Sequence, residues 1–179
     1  MANNMNFTMT LDTNEGIQTI TYKDLLLTVT KQKDEPVMKV DKDGTKKWYL
    51  GDKLHRVDGP AVEYSNGSKY WYFEGKLHRL DEPAIEDSNG DKRWYFEGKL
   101  HRSDGPAIEW VYGTKEWYFE GKRHRLDGPA IDGSNGAKQW YVEGKRHRSN
   151  GPAIEEYSDG KLKRLEKWID GIKISSMEF

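Results

Sequence analysis

The chain has 179 residues, of which 29 are Lys or Arg and 30 are Asp or Glu. This balance argues against a protein that wraps nucleic acid or coats an anionic membrane, because such proteins are clearly basic. The absence of Cys excludes disulfides and thiolate metal sites, and 7 Trp with 10 Tyr exclude a disordered composition. No apolar run reaches the ~18 residues of a membrane span. We therefore expect a soluble, cytoplasmic protein without membrane insertion.

Residues 1–34 lie outside any repeat and are predicted to form an N-terminal capping segment. Residues 8–21 alternate between apolar and polar types and contain Asn14-Glu15-Gly16, which predicts a β-hairpin. Residues 22–30 are compatible with either a last strand or a short helix. A cap is expected because an open stack of strands leaves unpaired edges at its ends.

A strict repeat of 23 residues begins at about residue 35. Three residue types recur at this step: Trp at 48, 71, 94, 117 and 140, His at 55, 78, 101, 124 and 147, and Pro at 60, 83, 106, 129 and 152. A strict period of this size predicts a stack of units that contact only their neighbours. We assign residues 35–174 to five full units with degenerate ends and residues 175–179 to a tail.

Each unit is predicted to contain two antiparallel strands. In one unit, residues 71–74 predict a strand, Glu74-Gly75 a turn and residues 83–86 a second strand. Ser88-Asn89-Gly90 then closes the unit with a strong hairpin signal. The sequence therefore predicts an all-β protein, an antiparallel β-meander built of hairpin repeats, with the Trp ladder as its core.

The repeat W-Y-x-x-G-K-x-H-R-x-D-G-P-A, closed by Asn-Gly, resembles the membrane occupation and recognition nexus (MORN) repeat. Its particular form, with Arg after His and an added Asp-Gly-Pro-Ala, is similar to repeats in proteins of large bacteriophages and giant viruses. The resemblance covers residues 35–174. It implies an elongated, twisted meander with a scaffold or binding role, and it supplies no catalytic residue and no cofactor.

The repeated His-Arg-x-Asp segment is the only candidate for chemistry. Equivalent His residues would lie roughly 9–10 Å apart if each unit adds two strands, too far for neighbouring rings to share a metal ion. The Asp of this segment is predicted to cap the following turn, and it could instead pair with Arg or orient His; the four are Asp58, Asp81, Asp104 and Asp127. We expect a protein that is not an enzyme.

A break in the repeat marks the first candidate binding surface. Trp110, Val111 and Tyr112 replace the polar closing turn of the other units and bring apolar side chains near solvent. Packing of these residues against the cap or against a second copy is the alternative interpretation.

Two further surfaces are weaker candidates. Arg123, Arg125, Arg146 and Arg148 make the later units basic and would suit an acidic partner or a phosphate, although a solvated edge also explains them. The Tyr ladder, which includes Tyr95 and Tyr118, would suit base stacking or protein contact, and cross-strand pairing is its structural alternative.

The sequence therefore predicts a non-enzymatic binding protein of phage or viral origin. Its expected partner is a host macromolecule in the host cytoplasm, first a protein such as a defence or regulatory factor. A nucleotide or nucleic-acid binder using the Tyr and His-Arg ladders is the alternative, followed by a structural virion component. Open sheet edges would also allow a homo-oligomer.

Overall fold

The computed structural model describes residues 7–13, 16–23, 26–31 and 35–179, and every element in these ranges is a β-strand. The chain divides into two compact units, Met1–Pro36 and Val37–Phe179. The all-β fold and the antiparallel meander that the sequence predicts are therefore confirmed, and we describe each unit separately.

The first unit is a three-stranded antiparallel sheet of β1 (Phe7–Thr13), β2 (Gly16–Lys23) and β3 (Leu26–Lys31). The predicted hairpin is confirmed, since Phe7 lies opposite Tyr22 and Thr13 opposite Gly16. Of the ambiguous segment 22–30, the described residues are strand and not helix: residues 22–23 end β2, and residues 26–30 belong to β3. The turn of the β1–β2 hairpin, residues 14 and 15, lies outside the described residues. The capping role of this unit stays a prediction.

The second unit contains 22 strands, most of which are only two residues long. In chain order they are β4 (Val37–Val40), β5 (Lys46–Leu50), β6 (Lys53–Leu54), β7 (Val62–Glu63), β8 (Lys69–Tyr70), β9 (Tyr72–Phe73), β10 (Lys76–Leu77), β11 (Ile85–Glu86), β12 (Lys92–Arg93), β13 (Tyr95–Phe96), β14 (Lys99–Leu100), β15 (Ile108–Glu109), β16 (Lys115–Glu116), β17 (Tyr118–Phe119), β18 (Lys122–Arg123), β19 (Ile131–Asp132), β20 (Lys138–Gln139), β21 (Tyr141–Val142), β22 (Lys145–Arg146), β23 (Ile154–Ser158), β24 (Lys161–Ile169) and β25 (Ile172–Glu178).

Each repeat forms two hairpins instead of the single hairpin that the sequence predicts. The hairpin β11–β12 joins a 14-stranded antiparallel sheet, whereas β9–β10 forms a separate two-stranded sheet. The prediction of two strands per unit is thus right for the main sheet and wrong for the whole unit. The reason lies at Trp71, whose N–H donates to the Ala84 carbonyl and whose carbonyl accepts from the His78 N–H, so the strand pairing changes partner there.

The small hairpins stack through backbone and histidine contacts. The Glu74-Gly75 turn has φ angles of 49° and 80°, as a tight hairpin turn with two left-handed residues requires. The Glu74 N–H donates to Nδ1 of His55, 19 residues earlier, and the Gly75 N–H donates to the Leu54 carbonyl. The His ladder is therefore confirmed as a structural ladder, because later units repeat this contact through His78, His101 and His124.

Alanine, and not tryptophan, occupies the most buried positions of the array. One Ala per unit is 0% exposed, and the apolar residue after it is usually buried too; the five are Ala61, Ala84, Ala107, Ala130 and Ala153. Of the repeat tryptophans only Trp94 is buried, and the other four are half-buried. The predicted Trp core is wrong in this respect, because the Ala residues lie deeper than the Trp rings. A residue of the same unit covers one face of each ring.

That residue is the repeat Arg, whose guanidinium carbon lies 3.8 to 4.1 Å from the centre of its Trp ring in all five units. Asp58 accepts from Nε of Arg56 at 2.9 Å, and this hydrogen bond lowers the pKa of the Asp58 carboxyl. Asp104 and Asp127 do the same. Three of the four Asp residues therefore pair with Arg, the alternative that the sequence left open, instead of capping the turn. Asp81 is the exception, because Arg79 bonds to Glu82.

The C-terminal end continues the stack with a longer hairpin. Asp170 donates its N–H to His147 across 23 residues instead of 19, so the segment around Trp168 takes the place of a further small hairpin. The segment assigned to a tail belongs largely to β25, which runs to Glu178 at one edge of the main sheet. Ile172 and Ile174 of this edge strand are exposed.

Candidate functional site

The closing turns of the repeats lie side by side and form a ridge along the main sheet. Ser88 donates its N–H to Oγ of Ser68 in the previous unit, and Ser134 donates to Oγ1 of Thr114. The turn at 110–113 keeps this arrangement, since the Val111 N–H donates to Oδ1 of Asp91 at 2.8 Å. We call the aligned turns 64–67, 87–90, 110–113 and 133–136 the turn ridge.

Val111 and Tyr112 form an apolar patch on the turn ridge. Each is 61% exposed, at positions where the neighbouring turn carries Ser88 and Asn89. The backbone turn is unchanged, because the Gly113 N–H donates to the Trp110 carbonyl as the corresponding Gly does in the other turns. The side chains therefore change the chemistry of the ridge without changing its path. We call Val111 and Tyr112 the turn patch.

Trp110 supports the turn patch from below rather than contributing to its exposed surface. Its ring is half-buried, and its Nε1 donates to Oε1 of Glu116 at 3.0 Å. The guanidinium of Arg93 lies 5.1 Å from the ring centre, and the Tyr112 ring stacks on Trp110 at 5.9 Å with 15° between the planes. Trp110 consequently fixes the orientation of Tyr112.

The previous unit fixes the position of Val111. Asp91 is buried, and the hydrogen bond from the Val111 N–H lowers the pKa of its carboxyl, so the acceptor stays charged. A Cβ at Gly90 would lie 3.2 Å from Cγ2 of Val111, which shows how closely the valine side chain lies on that turn. The turn patch is therefore held in place before any partner arrives.

The tyrosines predicted as a stacking platform are engaged within the fold. Tyr95 and Tyr118 are half-buried, and burial raises the pKa of both hydroxyls. The Tyr118 hydroxyl donates to Oε2 of Glu116, which also accepts from Arg123 at 3.2 Å. The guanidinium carbon of Arg123 lies 5.7 Å from the centres of both the Tyr118 and the Tyr141 ring.

The four arginines of the predicted basic edge occupy two different surroundings. Arg123 and Arg146 lie against the tyrosines, and Arg146 donates to the Tyr141 hydroxyl at 3.1 Å. Arg125 and Arg148 cover Trp117 and Trp140 instead. Arg125 also pairs with Asp127, and Arg148 with Glu155. The structure does not bring the four charges together as one free surface.

A ladder of alternating Phe and His rings was not predicted from the sequence. Phe73, Phe96 and Phe119 are 42 to 47% exposed and alternate with His55, His78, His101 and His124. Neighbouring ring centres lie 4.6 to 6.0 Å apart. The signal was the recurrence of Phe at the same 23-residue step as His. Alternation along a single strand at 71–74 would instead place Phe73 on the same face as Trp71.

Within the described ranges, no three His, Asp or Glu side chains are placed to hold a metal ion together. No helix that could cross a membrane occurs in the same part of the chain. Comparison with protein-family models gave no match, and comparison with curated proteins gave none either. The resemblance to the MORN repeat therefore enters the functional argument as a proposal.

Tyr70 belongs to the polar network beneath the turn ridge and should titrate unusually late. Burial, followed by its hydrogen bond to Asp87, raises the pKa of Tyr70 to about 12. Because an unfolded Tyr titrates near pH 10, the fold favours the protonated hydroxyl. Its contribution to stability is complete below about pH 10 and is lost as the pH rises towards about 12.

We expect the absorbance difference at 295 nm between the wild type and Tyr70→Phe to titrate near pH 12 in the folded protein. In denaturant the same difference should titrate near pH 10, the ordinary value for Tyr. A difference that titrates near pH 10 in both conditions would show that the half-buried Tyr70 hydroxyl does not form the hydrogen bond to Asp87. Stability of the wild type should fall more steeply than that of the variant above about pH 10.

Proposed function

We propose that this chain is a non-enzymatic, MORN-like binding protein of phage or viral origin that engages a host protein. The repeat stack serves as a rigid support, and the turn patch makes the contact. The observation that carries the proposal is the exposure of Val111 and Tyr112, each 61%, at the one ridge turn that abandons polar turn residues. The host protein is a defence or regulatory factor in the host cytoplasm.

The chemistry of the turn patch supports this role. Tyr and Trp dominate the energetic hot spots of protein interfaces, because they bury a large area with few rotatable bonds. Tyr112 is already stacked on Trp110, so little side-chain freedom remains to be lost when a partner binds. A local departure from good turn chemistry that leaves apolar groups in water is typical of a functional site.

The nucleic-acid alternative finds less support in the geometry. Stacking of bases needs open aromatic faces, and phosphate binding needs free cations. Tyr95 and Tyr118 are half-buried, Arg123 is paired with Glu116, and Arg125 is paired with Asp127. A nucleic acid would have to displace these internal contacts, whereas a protein partner can use the turn patch as it stands.

Restoring the repeat's own residues should remove binding without removing the fold. The variant Val111→Ser/Tyr112→Asn copies the turn at 88–89 and leaves the half-buried Trp110 in place. We expect its melting temperature to match the wild type and its affinity for the partner to fall roughly thirtyfold or more, as loss of a hot spot of about 2 kcal/mol implies.

The measurement compares immobilised wild type, variant and Ser134→Ala, a control in the next turn of the ridge. All three are incubated with the same host lysate, and the captured proteins are quantified by mass spectrometry before titration of the purified partner. A partner captured by the wild type and the control, but lost with the variant, supports the proposal. If all three proteins capture the partner equally, the contact lies elsewhere and the proposed role of the turn patch is wrong.

A further inference from the structure

An open groove of about 1050 Å³ lies at the first two complete units, away from the residues of the turn patch. Its lining comes from loops 56–60 and 79–82 and from the β9–β10 hairpin with Phe73. Trp71 and His78 contribute to its lining. The groove therefore combines loop residues that vary between units with aromatic residues that repeat.

Its rims are more apolar than the equivalent rims of other units. Val57 is 70% and Leu80 73% exposed on the loop side, and Phe73 is 42% exposed on the hairpin side. The equivalent positions in the next three units are Ser103, Leu126 and Ser149, so apolar residues occupy this position in two successive units only at Val57 and Leu80. Apolar residues on both rims of one groove favour an occupant that buries them.

The groove also carries an excess of acid. Five acidic residues line it, Asp58, Glu74, Asp81, Glu82 and Glu97, against the three cations Arg56, Lys76 and Arg79. Within the fold Arg56 pairs with Asp58, and Arg79 pairs with Glu82 and Glu86, which leaves Glu74, Asp81 and Glu97 against Lys76. Charge complementarity therefore favours a basic occupant.

Glu82 is a second break in the repeat and is specific to this groove. The other units have Gly at this position, where the guanidinium of the repeat Arg lies so close that a Cβ at Gly128 would be 2.8 Å from Cζ of Arg125. With Glu82 in place of Gly, Arg79 bonds to Glu82, whereas Arg125 bonds to Asp127. The substitution thus adds a carboxylate to the groove and gives Arg79 a different partner from that of the other units.

Two more carboxylates are held in the lining at a conformational cost. Glu74 and Glu97 have φ angles of 49° and 48°, a region in which Gly or Asn is favoured and a long side chain is uncommon. Backbone strain of this kind persists where the surrounding structure imposes it and often accompanies function. Glu120 and Glu143 have nearly the same φ in later hairpins, so this negative charge recurs along the array and contributes to the groove through Glu74 and Glu97.

The spacing of the aromatic ladder matches one peptide conformation. Successive units are roughly 9–10 Å apart, because each adds two strands to the main sheet. A polyproline II helix advances about 9.3 Å in each turn of three residues. Every third residue of such a segment can therefore meet the same position of successive units, beginning with Phe73 and Phe96. Proline rings also pack well on aromatic grooves.

We propose that this groove binds an extended, proline-rich segment of a partner protein with Arg or Lys at every third position. The prolines cover Phe73, Val57 and Leu80, and the cations meet the carboxylates of Asp81, Glu74 and Glu97. None of these residues belongs to the turn patch, so this proposal can be tested separately from the function proposed above.

The probe is a fluorescein-labelled nonapeptide of three Pro-Pro-Arg triplets, titrated with the full chain and followed by fluorescence polarisation. We expect saturable binding that weakens as salt is added. The matched peptide with Glu in place of Arg should not bind, and the flexible peptide of three Gly-Ser-Arg triplets should bind clearly less well. Absence of binding, or equal binding of the Arg and Glu peptides, would overturn the proposal.

Two variants locate the site, and a third controls for them. Leu80→Ser copies Ser103 of the next unit and should weaken binding about tenfold, and Glu82→Gly should weaken it and reduce its salt dependence. Leu126→Ser makes the same apolar change two units further on, where Gly128 keeps the repeat's own residue, and should leave binding unchanged. If Leu80→Ser and Leu126→Ser act alike, the peptide does not occupy this groove.

Discussion

Replacing Ala107 by Leu should destabilise the array by about 3 kcal/mol, at the upper end of what overpacking costs in a close-packed interior. Ala107 is 0% exposed, and its carbonyl accepts the Trp94 N–H at 2.8 Å, so the backbone cannot easily move away from a larger side chain. The equivalent position is Ala in every complete unit, which indicates that the space there admits one methyl group. Thermal and urea unfolding followed by Trp fluorescence would measure the loss.

The same substitution should also change the form of the unfolding transition. A repeat array is held together by contacts between neighbouring units, so a damaged unit in the middle uncouples the two halves. We expect Ala107→Leu to broaden the transition or divide it into two. Ala137→Thr is the control, because Thr114 occupies the same position one unit earlier at the turn ridge. A single sharp transition at the wild-type temperature for Ala107→Leu would contradict the Ala core.

The 23-residue period was sufficient to predict the meander, the number of units and the alignment of equivalent residues. The period alone could not assign the core. Large rings suggested that Trp would be most buried, yet Ala84 and its equivalents are the most buried residues, followed by the Val or Ile after most of them. The recurrent Pro-Ala pair was the available signal, because a small apolar residue kept in every unit marks a close approach of chains.

The second hairpin of each unit was missed for a related reason. Alternation along 71–74 predicts one continuous strand, but the hydrogen bonds of Trp71 to Ala84 and His78 divert the chain between two sheets. Trp71 and Phe73 then no longer lie on the same face of one strand, so the exposed Phe ladder could not be predicted from the alternation of side chains. Hydrogen bonds within the unit, together with those of Glu74 and Gly75 to the previous unit, decide where these side chains point.

The exposure of the turn patch, Val111 and Tyr112, was predictable from the sequence. The position of the neighbouring Trp110 was not. Hairpin turns expose their central residues whatever the side chain is, so the exchange of Ser and Asn for Val and Tyr has a direct consequence. Trp110 precedes the turn centre, and its burial depends on Arg93 and Glu116. Partners supplied by other strands or by a neighbouring unit cannot be read from a single repeat.

Replacing Arg102 by Ala should cost about 2 to 3 kcal/mol, because one guanidinium makes both a ring contact and several charged hydrogen bonds. Arg102 lies 4.0 Å from the centre of the Trp94 ring, and it donates to Asp104 and Glu109. The variant would expose the most buried tryptophan of the ladder and leave Glu109 without this partner. Chemical denaturation, with the emission maximum of Trp as a second readout, would measure both effects.

The conservative variant Arg102→Lys separates shape from charge. Lysine keeps the positive charge, but its ammonium cannot lie flat on Trp94 while donating to both carboxylates. We therefore expect Arg102→Lys to recover less than half of the lost stability, and Arg102→Met to retain the cover over the ring but not the ion pairs. Full recovery by Lys would show that charge alone matters. We infer that the planar contact with Trp94 is the reason that every complete unit has Arg after His. Full recovery by Lys would show that this contact is irrelevant to stability.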